Sequence, residues 1–334
     1  MLHGHGDDTY KYDEIRINFS SNIYNHFDHT SLFKHLTRRM HDVRSYPEPT
    51  PSTLERQIAL SCNIPANSVM ATNGATEAIY LIAQTFRDAH STILQPTFAE
   101  YADACSMHSH RITAQPHNHI TAQPHDLIWL CNPNNPTGEV TPKAVIIEAL
   151  HSNPDTLFIL DASYAAYTTE PLISPAEGIQ YPNLIMLHSM TKDYGIPGLR
   201  LGYITCHADT LTKIATNRMP WSVSQMAIDA GLYLLQHSHA FQIDAYTLNR
   251  ERKRIATELQ NIGIHVYPSQ SNILLCRHPW IESATLKERL ATEHGILIRD
   301  ASNFHGLDTH HFRIAVQTPE ENDILLDILT HTTV

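Results

Sequence analysis

Leu127-Ile-Trp-Leu-Cys131-Asn-Pro-Asn-Asn-Pro-Thr-Gly138 decides how this chain folds. Five consecutive apolar residues read as a strand buried on both faces, and two X-Pro steps with a Gly then stop it in a rigid polar loop. Such a strand belongs to a parallel sheet covered by helices. The loop at its carboxyl end stands where open α/β sheets bind ligands. Three further runs repeat the pattern: Ser91-Thr-Ile-Leu-Gln95, Leu157-Phe-Ile-Leu-Asp161 and Leu184-Ile-Met-Leu-His188. Amphipathic stretches over 76–86 and 141–151 predict helices between and around them. The expected fold class is α/β, with a mostly parallel sheet between helices.

Outward from this centre the pattern changes. From about 211 to 260 it is helical and charged, ending in Arg250-Glu-Arg-Lys-Arg254, and Gly263 stops the helix. That basic run reads as a solvated helix face. Short apolar runs at 264–267, 273–276 and 312–316, with a helix near 284–294, predict a smaller α+β domain. The expected organisation is an N-terminal arm over 1–44 that joins this small domain, a large domain over 45–240, and the small domain over 241–334. A tandem octad, Ile112-Thr-Ala-Gln-Pro-His-Asn-His119 and Ile120-Thr-Ala-Gln-Pro-His-Asp-Leu127, interrupts the alternation. Two copies are too few for a solenoid, and Pro116 and Pro124 argue for a surface loop. Its histidines lack a helical i, i+4 pair with a carboxylate, so no metal site is expected there.

Bulk properties narrow the function. The 334 residues carry a formal charge of −11, with 42% hydrophobic and 17% charged residues. Phosphate backbones and anionic membrane surfaces require an excess of Lys and Arg, so no nucleic-acid or membrane partner is expected. The amino terminus shows no basic segment followed by an apolar run, and no stretch approaches the ~18 apolar residues of a membrane span. Cys62, Cys105, Cys131, Cys206 and Cys276 are scattered, without a CxxC pair, as reduced structural thiols of a cytoplasmic protein would be.

Chemistry-bearing residues gather at the expected strand ends. Asn73-Gly-Ala-Thr-Glu77 opens a helix, whose first-turn N–H groups and dipole suit a phosphate. Asp161 ends a strand and leads into Ala-Ser-Tyr164; Ser189-Met-Thr-Lys192 follows the next strand and leads to Tyr194-Gly-Ile-Pro-Gly-Leu-Arg200. A lysine past a strand is usually a solvated surface group. Set among hydroxyl residues, with a Gly/Pro-shaped loop and an arginine eight positions on, Lys192 reads as part of a phosphate-and-imine site.

In this order and spacing the motifs resemble the class I/II aminotransferase family of fold-type I enzymes that use pyridoxal 5′-phosphate (PLP), along essentially the whole chain. The resemblance implies a large domain with a seven-stranded, mostly parallel sheet between helices, plus a small α+β domain. It implies that Lys192 binds PLP as a Schiff base and shuttles the proton at Cα, with Asp161 on the pyridinium nitrogen and Asn135 and Tyr164 on the phenolic oxygen. Ala75, Thr76, Ser189, Thr191 and Arg200 would hold the cofactor phosphate, and Phe98 in Pro96-Thr-Phe-Ala-Glu-Tyr101 would stack on the ring. Where the family segment often reads Asp-Glu-Ala-Tyr, this chain has Asp161-Ala162-Ser163-Tyr164.

Two branches of the family take small phosphorylated amino-acid substrates: histidinol-phosphate aminotransferases and threonine-phosphate decarboxylases of the cobalamin pathway. His5-Gly-Asp-Asp8 resembles the His-Gly-Gly-Asp element of the second, and Asn18-Phe-Ser-Ser-Asn22 its Asp-Phe-Ser-Ala-Asn element. The stretch from Ile298 to Val316 also resembles it. This implies that Arg299 binds the substrate phosphate, that Arg313 meets the carboxylate, and that His5 and Asn22 are further phosphate contacts. Tyr46 matches an aromatic that reaches into the partner's site of a homodimer. Decarboxylase is the preferred expectation, with transamination by 2-oxoglutarate as the alternative. PLP-binding transcription regulators, which share the fold, need a basic DNA-binding module, and the roughly 44 residues of the arm are too few and not basic.

Overall fold

The computed structural model describes residues 6–117 and 120–332. The strands among the described residues begin, in chain order, with β1 (Ile17–Asn18), β2 (Val69–Thr72), β3 (His90–Gln95), β4 (Arg111–Pro116), β5 (Leu127–Cys131), β6 (Leu157–Asp161) and β7 (Leu184–Ser189). They continue with β8 (Gly202–Cys206), β9 (His265–Val266), β10 (Ile273–Arg277), β11 (Ile296–Leu297), β12 (Arg299–Asp300) and β13 (His311–Ala315).

Seven of them form one sheet in the order β2-β8-β7-β6-β5-β3-β4. Pairings from β7 through β4 are parallel; β8 is antiparallel to both of its neighbours. Two reversals bring β2 back into the direction of the central strands, so β2, β5, β6 and β7 end on one edge of the sheet. The continuous apolar runs are buried on both faces because alternate residues point to opposite sides. Leu127, Trp129 and Cys131 pack with helices Gly74–Thr85 and Glu100–Met107, while Ile128 and Leu130 pack with Ile146 and Leu150 of helix Lys143–Ser152. A β/α alternation with both faces covered is what the sequence pattern requires.

A second, four-stranded antiparallel sheet has the order β12-β13-β10-β9. Helices Ala245–Asn261, Ser283–His294 and Pro319–Thr332 flank it in sequence. The chain start is bound to this part of the molecule. β1 pairs in parallel with β11 (Ile17↔Ile296), and Phe19 donates its N–H to Leu297 O while accepting from Ala315 N, each at 2.8 Å. Asp8 is locked by Lys287 at 2.6 Å.

The octad departs from the surface loop that its prolines suggested. Its first copy lies in β4, the outer strand of the large sheet, paired with β3 along six residues. An edge strand tolerates Pro116 at its end, where the missing N–H faces away from the ladder. The second copy forms no strand until its last residue, Leu127, which begins β5 on the other side of β3. Gln115 holds it, its side-chain amide exchanging two 3.2 Å hydrogen bonds with the backbone of Thr121. Ile120 and Ala122 of this return segment pack on the core beneath helix Lys143–Ser152.

Candidate active site

The strand ends converge on a cavity of about 780 Å³. Ala75, Thr76, Phe98, Asn135, Asp161, Tyr164, Ser189, Thr191, Lys192 and Arg200 all line it. Asn22, Arg299 and Arg313, from the arm and the small sheet, line it too. Tyr46 does not. It is 85% exposed and rests on Trp221, ring centres 5.5 Å apart. His5 lies outside the described residues.

One end is built for an anion. Helix Gly74–Thr85 begins directly after β2, and its first turn, Ala75 and Thr76, opens into the cavity. Gly74 has φ +76, and a Cβ there would meet Arg200 Nη2 at 2.6 Å, so only glycine lets the guanidinium lie against the helix start. Gly202 on β8 serves the same end, since a Cβ would strike Ala75 N at 2.7 Å. Arg200 bonds Pro197 O at 3.1 Å and reaches Thr191 Oγ1 at 3.5 Å. Unpaired first-turn N–H groups, two hydroxyls and a guanidinium are a phosphate cradle.

At the cavity floor, Asp161 takes a hydrogen bond from Ser163 N on Oδ1 (2.9 Å) and from Tyr101 Oη on Oδ2 (2.6 Å). Lys192 Nζ donates to Ser21 O at 2.9 Å and stands 5.7 Å from the Tyr164 ring centre. Burial, and then the Arg313 charge, pull its pKa down to about 7, while Asp7 and Asp161 act in the opposite sense. A large share of this amine is therefore neutral near pH 7, as a nucleophile or proton carrier needs. Tyr164 is buried and accepts from Asn22 Nδ2 at 3.1 Å; burial pushes its phenol far above the usual range.

The opposite wall is cationic. Arg313 donates to Asn135 Oδ1 at 2.5 Å and to Ser20 O at 2.6 Å. Arg299 donates to Asp300 O at 2.6 Å and to Asn303 Oδ1 at 2.9 Å, with its guanidinium over the Phe304 ring. Ser21 Oγ, Asn22 Oδ1 and Arg313 Nε are buried with no hydrogen-bond partner among the described residues. Such groups cost stability unless a ligand completes them.

Several lining residues were not singled out from the sequence: Asp7, Tyr101, Asn303 and His305. Tyr101 carried a signal, since it stands three residues after Phe98 in the same motif. Among the described residues the histidines near the octad make structural bonds, His110 to Ser91 Oγ and Ala83 O, and His117 to Cys131 O. No group of three or more metal-ligating side chains occurs among the described residues, and no helix among them is long and apolar enough to cross a membrane.

Comparison with known proteins agrees with this geometry. The family described as aminotransferase class I and II matches residues 14–329. The threonine-phosphate decarboxylase of Salmonella typhimurium is 31% identical over 331 residues, covering 94% of this chain and 90% of the relative. The histidinol-phosphate aminotransferase of Caldanaerobacter subterraneus subsp. tengcongensis is 30% identical over 302 residues, covering 86% of this chain and 84% of the relative. The crystal structure of L-threonine-O-3-phosphate decarboxylase from Porphyromonas gingivalis superimposes with a TM-score of 0.92 at 39% identity, covering 95% of this chain and 99% of that one. The matched family depends on PLP. The cavity fits that cofactor: a lysine amine, a carboxylate held at its floor, a phosphate cradle, and buried polar atoms that await a partner.

Proposed function

We propose that this chain, which belongs to the class I and II aminotransferase family, decarboxylates L-threonine O-3-phosphate to aminopropanol phosphate. The likeness to the Porphyromonas gingivalis decarboxylase, over nearly its whole length, carries the reading. The cavity supports it. Arg299 and Arg313 offer two cationic groups, suited to a substrate with a phosphate at one end and a carboxylate at the other. Histidinol phosphate has no carboxylate. A second reading, transamination of histidinol phosphate with 2-oxoglutarate, is favoured by the relatives of that name at similar identity.

Bound PLP supplies an electron sink for the charge left on Cα. The protein's own residues supply the rest. Ala75, Thr76, Ser189, Thr191 and Arg200 would hold the cofactor phosphate, and Phe98 would cover the ring. Asp161, fixed by Tyr101 and Ser163, would pair with the ring nitrogen, while Asn135 and Tyr164 would bond the phenolic oxygen. Lys192 would hold the cofactor, and its amine, with a pKa of about 7, would take up a proton near neutral pH and deliver it, as the ammonium, to the substrate Cα from which CO₂ has left. Arg299 takes the substrate phosphate, helped by Asn22 and by His5. Arg313 orients the carboxylate, and that orientation decides whether the C–COO⁻ or the C–H bond breaks.

The same reading assigns 45–240 to the large cofactor-binding domain and 241–334, with the arm 1–44, to the small α+β domain that carries Arg299 and Arg313. It makes the protein a cytoplasmic homodimer in which the exposed Tyr46 enters the partner's site. The test is product identity. Incubation with L-threonine O-3-phosphate should release CO₂ and aminopropanol phosphate. Glutamate formed from histidinol phosphate and 2-oxoglutarate, with no CO₂ from the phosphothreonine, would replace this reading with the second.

A further inference from the structure

Asp7 occupies a conformation that its residue type enters at a cost. Its φ is +62, in the left-handed region that favours glycine. Two bonds hold it there: its N–H donates to Ser20 Oγ at 3.1 Å, and Asn18 Nδ2 donates to its Oδ1 at 2.6 Å. The neighbouring residues tighten the placement. A Cβ on Gly6 would meet Arg299 Cδ at 3.0 Å, so the arm backbone lies directly on the Arg299 stem. Asp8 turns the other way, into Lys287 and Lys11. Asp7 is thereby left on the cavity wall with its second oxygen, Oδ2, making no hydrogen bond or ion pair among the described residues.

We propose that Asp7 is a specificity-determining residue whose carboxylate, held on the wall it shares with Arg299, accepts a proton-bearing oxygen of the substrate phosphate and so selects the singly ionised ester over the doubly ionised one. The assignment rests on the phosphorylated-substrate reading above. A carboxylate only accepts, so it tolerates a phosphate oxygen at close range when that oxygen carries a proton. The second ionisation of a phosphate monoester falls near pH 6, at about the middle of the working range. The charged and titratable groups that share the cavity with Asp7 are Arg299 on β12, Arg313 on β13, Lys192 and Arg200 after β7, Asp161 on β6 with Tyr164 just after it, Cys131 on β5, Tyr101 and Asp103 on helix Glu100–Met107, and His305 in the loop after β12. Asp7 does not serve as the ion-pair partner of Arg299. The carboxylates that oppose the effect of burial on that guanidinium are Asp300 and Asp8. Asp7 also favours the charged form of Lys192, so its field reaches into the cavity although the residue itself is exposed at the rim.

The test compares the PLP-loaded wild type with Asp7→Asn and Asp7→Gly between pH 6 and pH 8, using L-threonine O-3-phosphate. Lys192 titrates in the same range, so the decisive quantity is the ratio of variant to wild-type KM at each pH. At pH 8, where the ester is doubly ionised, both variants should show a KM lower by about fivefold, the size expected for removing one partly screened like charge. Near pH 6 the ratio should return towards one. L-threonine O-sulfate, singly charged and without a proton, should give a ratio that does not change with pH. Wild-type and variant KM profiles that superimpose for the phosphate ester would overturn the role of Asp7 and leave the substrate reading intact. If no protein in the set shows turnover or a saturable absorbance change with the phosphate ester, the substrate reading fails and this assignment falls with it.

Discussion

The Tyr101 phenol donates to Asp161 Oδ2 at 2.6 Å while its ring lies against Trp129 on one side and edge-on to Phe98 on the other. One buried side chain thus links the carboxylate at the cavity floor to the aromatic assigned to the cofactor ring. A hydrogen bond to a buried charge contributes about 1.5–3 kcal/mol. Tyr101→Phe keeps the packing and removes that bond, so kcat should fall about tenfold or more and PLP should bind more weakly. The melting temperature should fall by a few degrees, and the substrate KM should change little. Steady-state kinetics with a cofactor titration checks this; an unchanged kcat would mean that Ser163 N–H alone holds Asp161.

Lys192 gives stability a pH dependence with a definite sign. Its folded pKa lies near 7, against 10.5 for an ordinary lysine. Between these values the unfolded chain binds more protons than the folded one, so stability rises with pH. The penalty for burying the ammonium is complete below pH 7 and is relieved towards pH 10.5. In cofactor-free protein, wild type should gain about 2 kcal/mol on Lys192→Met between pH 7 and pH 9. Denaturant unfolding of the two proteins at both pH values measures the difference directly.

Removing the guanidinium at the substrate end should act on one class of substrate. Arg299→Ala should raise KM for phosphorylated amino acids by about 30-fold or more, the scale of a lost buried charge-assisted pair. Unphosphorylated analogues should change by less than about threefold on the same grounds. Equal changes in both would remove Arg299 from phosphate recognition.

A structural prediction concerns β2, which carries the chain into the anion cradle. Glu55 Oε1 accepts from Ala71 N at 3.0 Å and from Arg218 Nη1 at 2.8 Å, and Arg218 Nη2 donates to Ala71 O at 2.9 Å. Both side chains are about nine-tenths buried. Glu55→Ala leaves the arginine without its counter-charge and should cost about 3–5 kcal/mol. The double replacement by methionine should recover most of that loss. Thermal melts of the single and double variants, read as a cycle, check the coupling.

The central strands, Lys192, Asp161, Asn135 and the glycine-opened helix were legible because each obeys a local rule: apolar runs for two-sided burial, and particular residue types at strand ends. Tyr101 was visible in its motif yet silent, because its bond to Asp161 depends on how helix Glu100–Met107 faces β6. Asp7 was less legible still. Its position follows from the Asp8–Lys287 pair, whose members are 279 residues apart, and no local pattern reports such a contact. The arm segment β1 is two residues long, too short for periodicity to reveal, and β11 supplies its partner.

The duplicated segment offers an internal control on what makes a strand. Ile-Thr-Ala-Gln-Pro-His occurs twice in one molecule, eight residues apart, and takes two conformations. In the first copy Ile112 and Ala114 border the cavity, whereas Ile120 and Ala122 of the second press on the opposite side of the sheet. Intrinsic preference is equal in both, so the difference comes entirely from neighbours. The first copy has the open flank of β3 to pair with; the second has only the task of retracing the length of a strand to reach β5. Deleting either copy therefore would not trim an appendage. The surviving hexapeptide would have to choose between edging the sheet and closing the chain, and one position in the architecture would go unfilled.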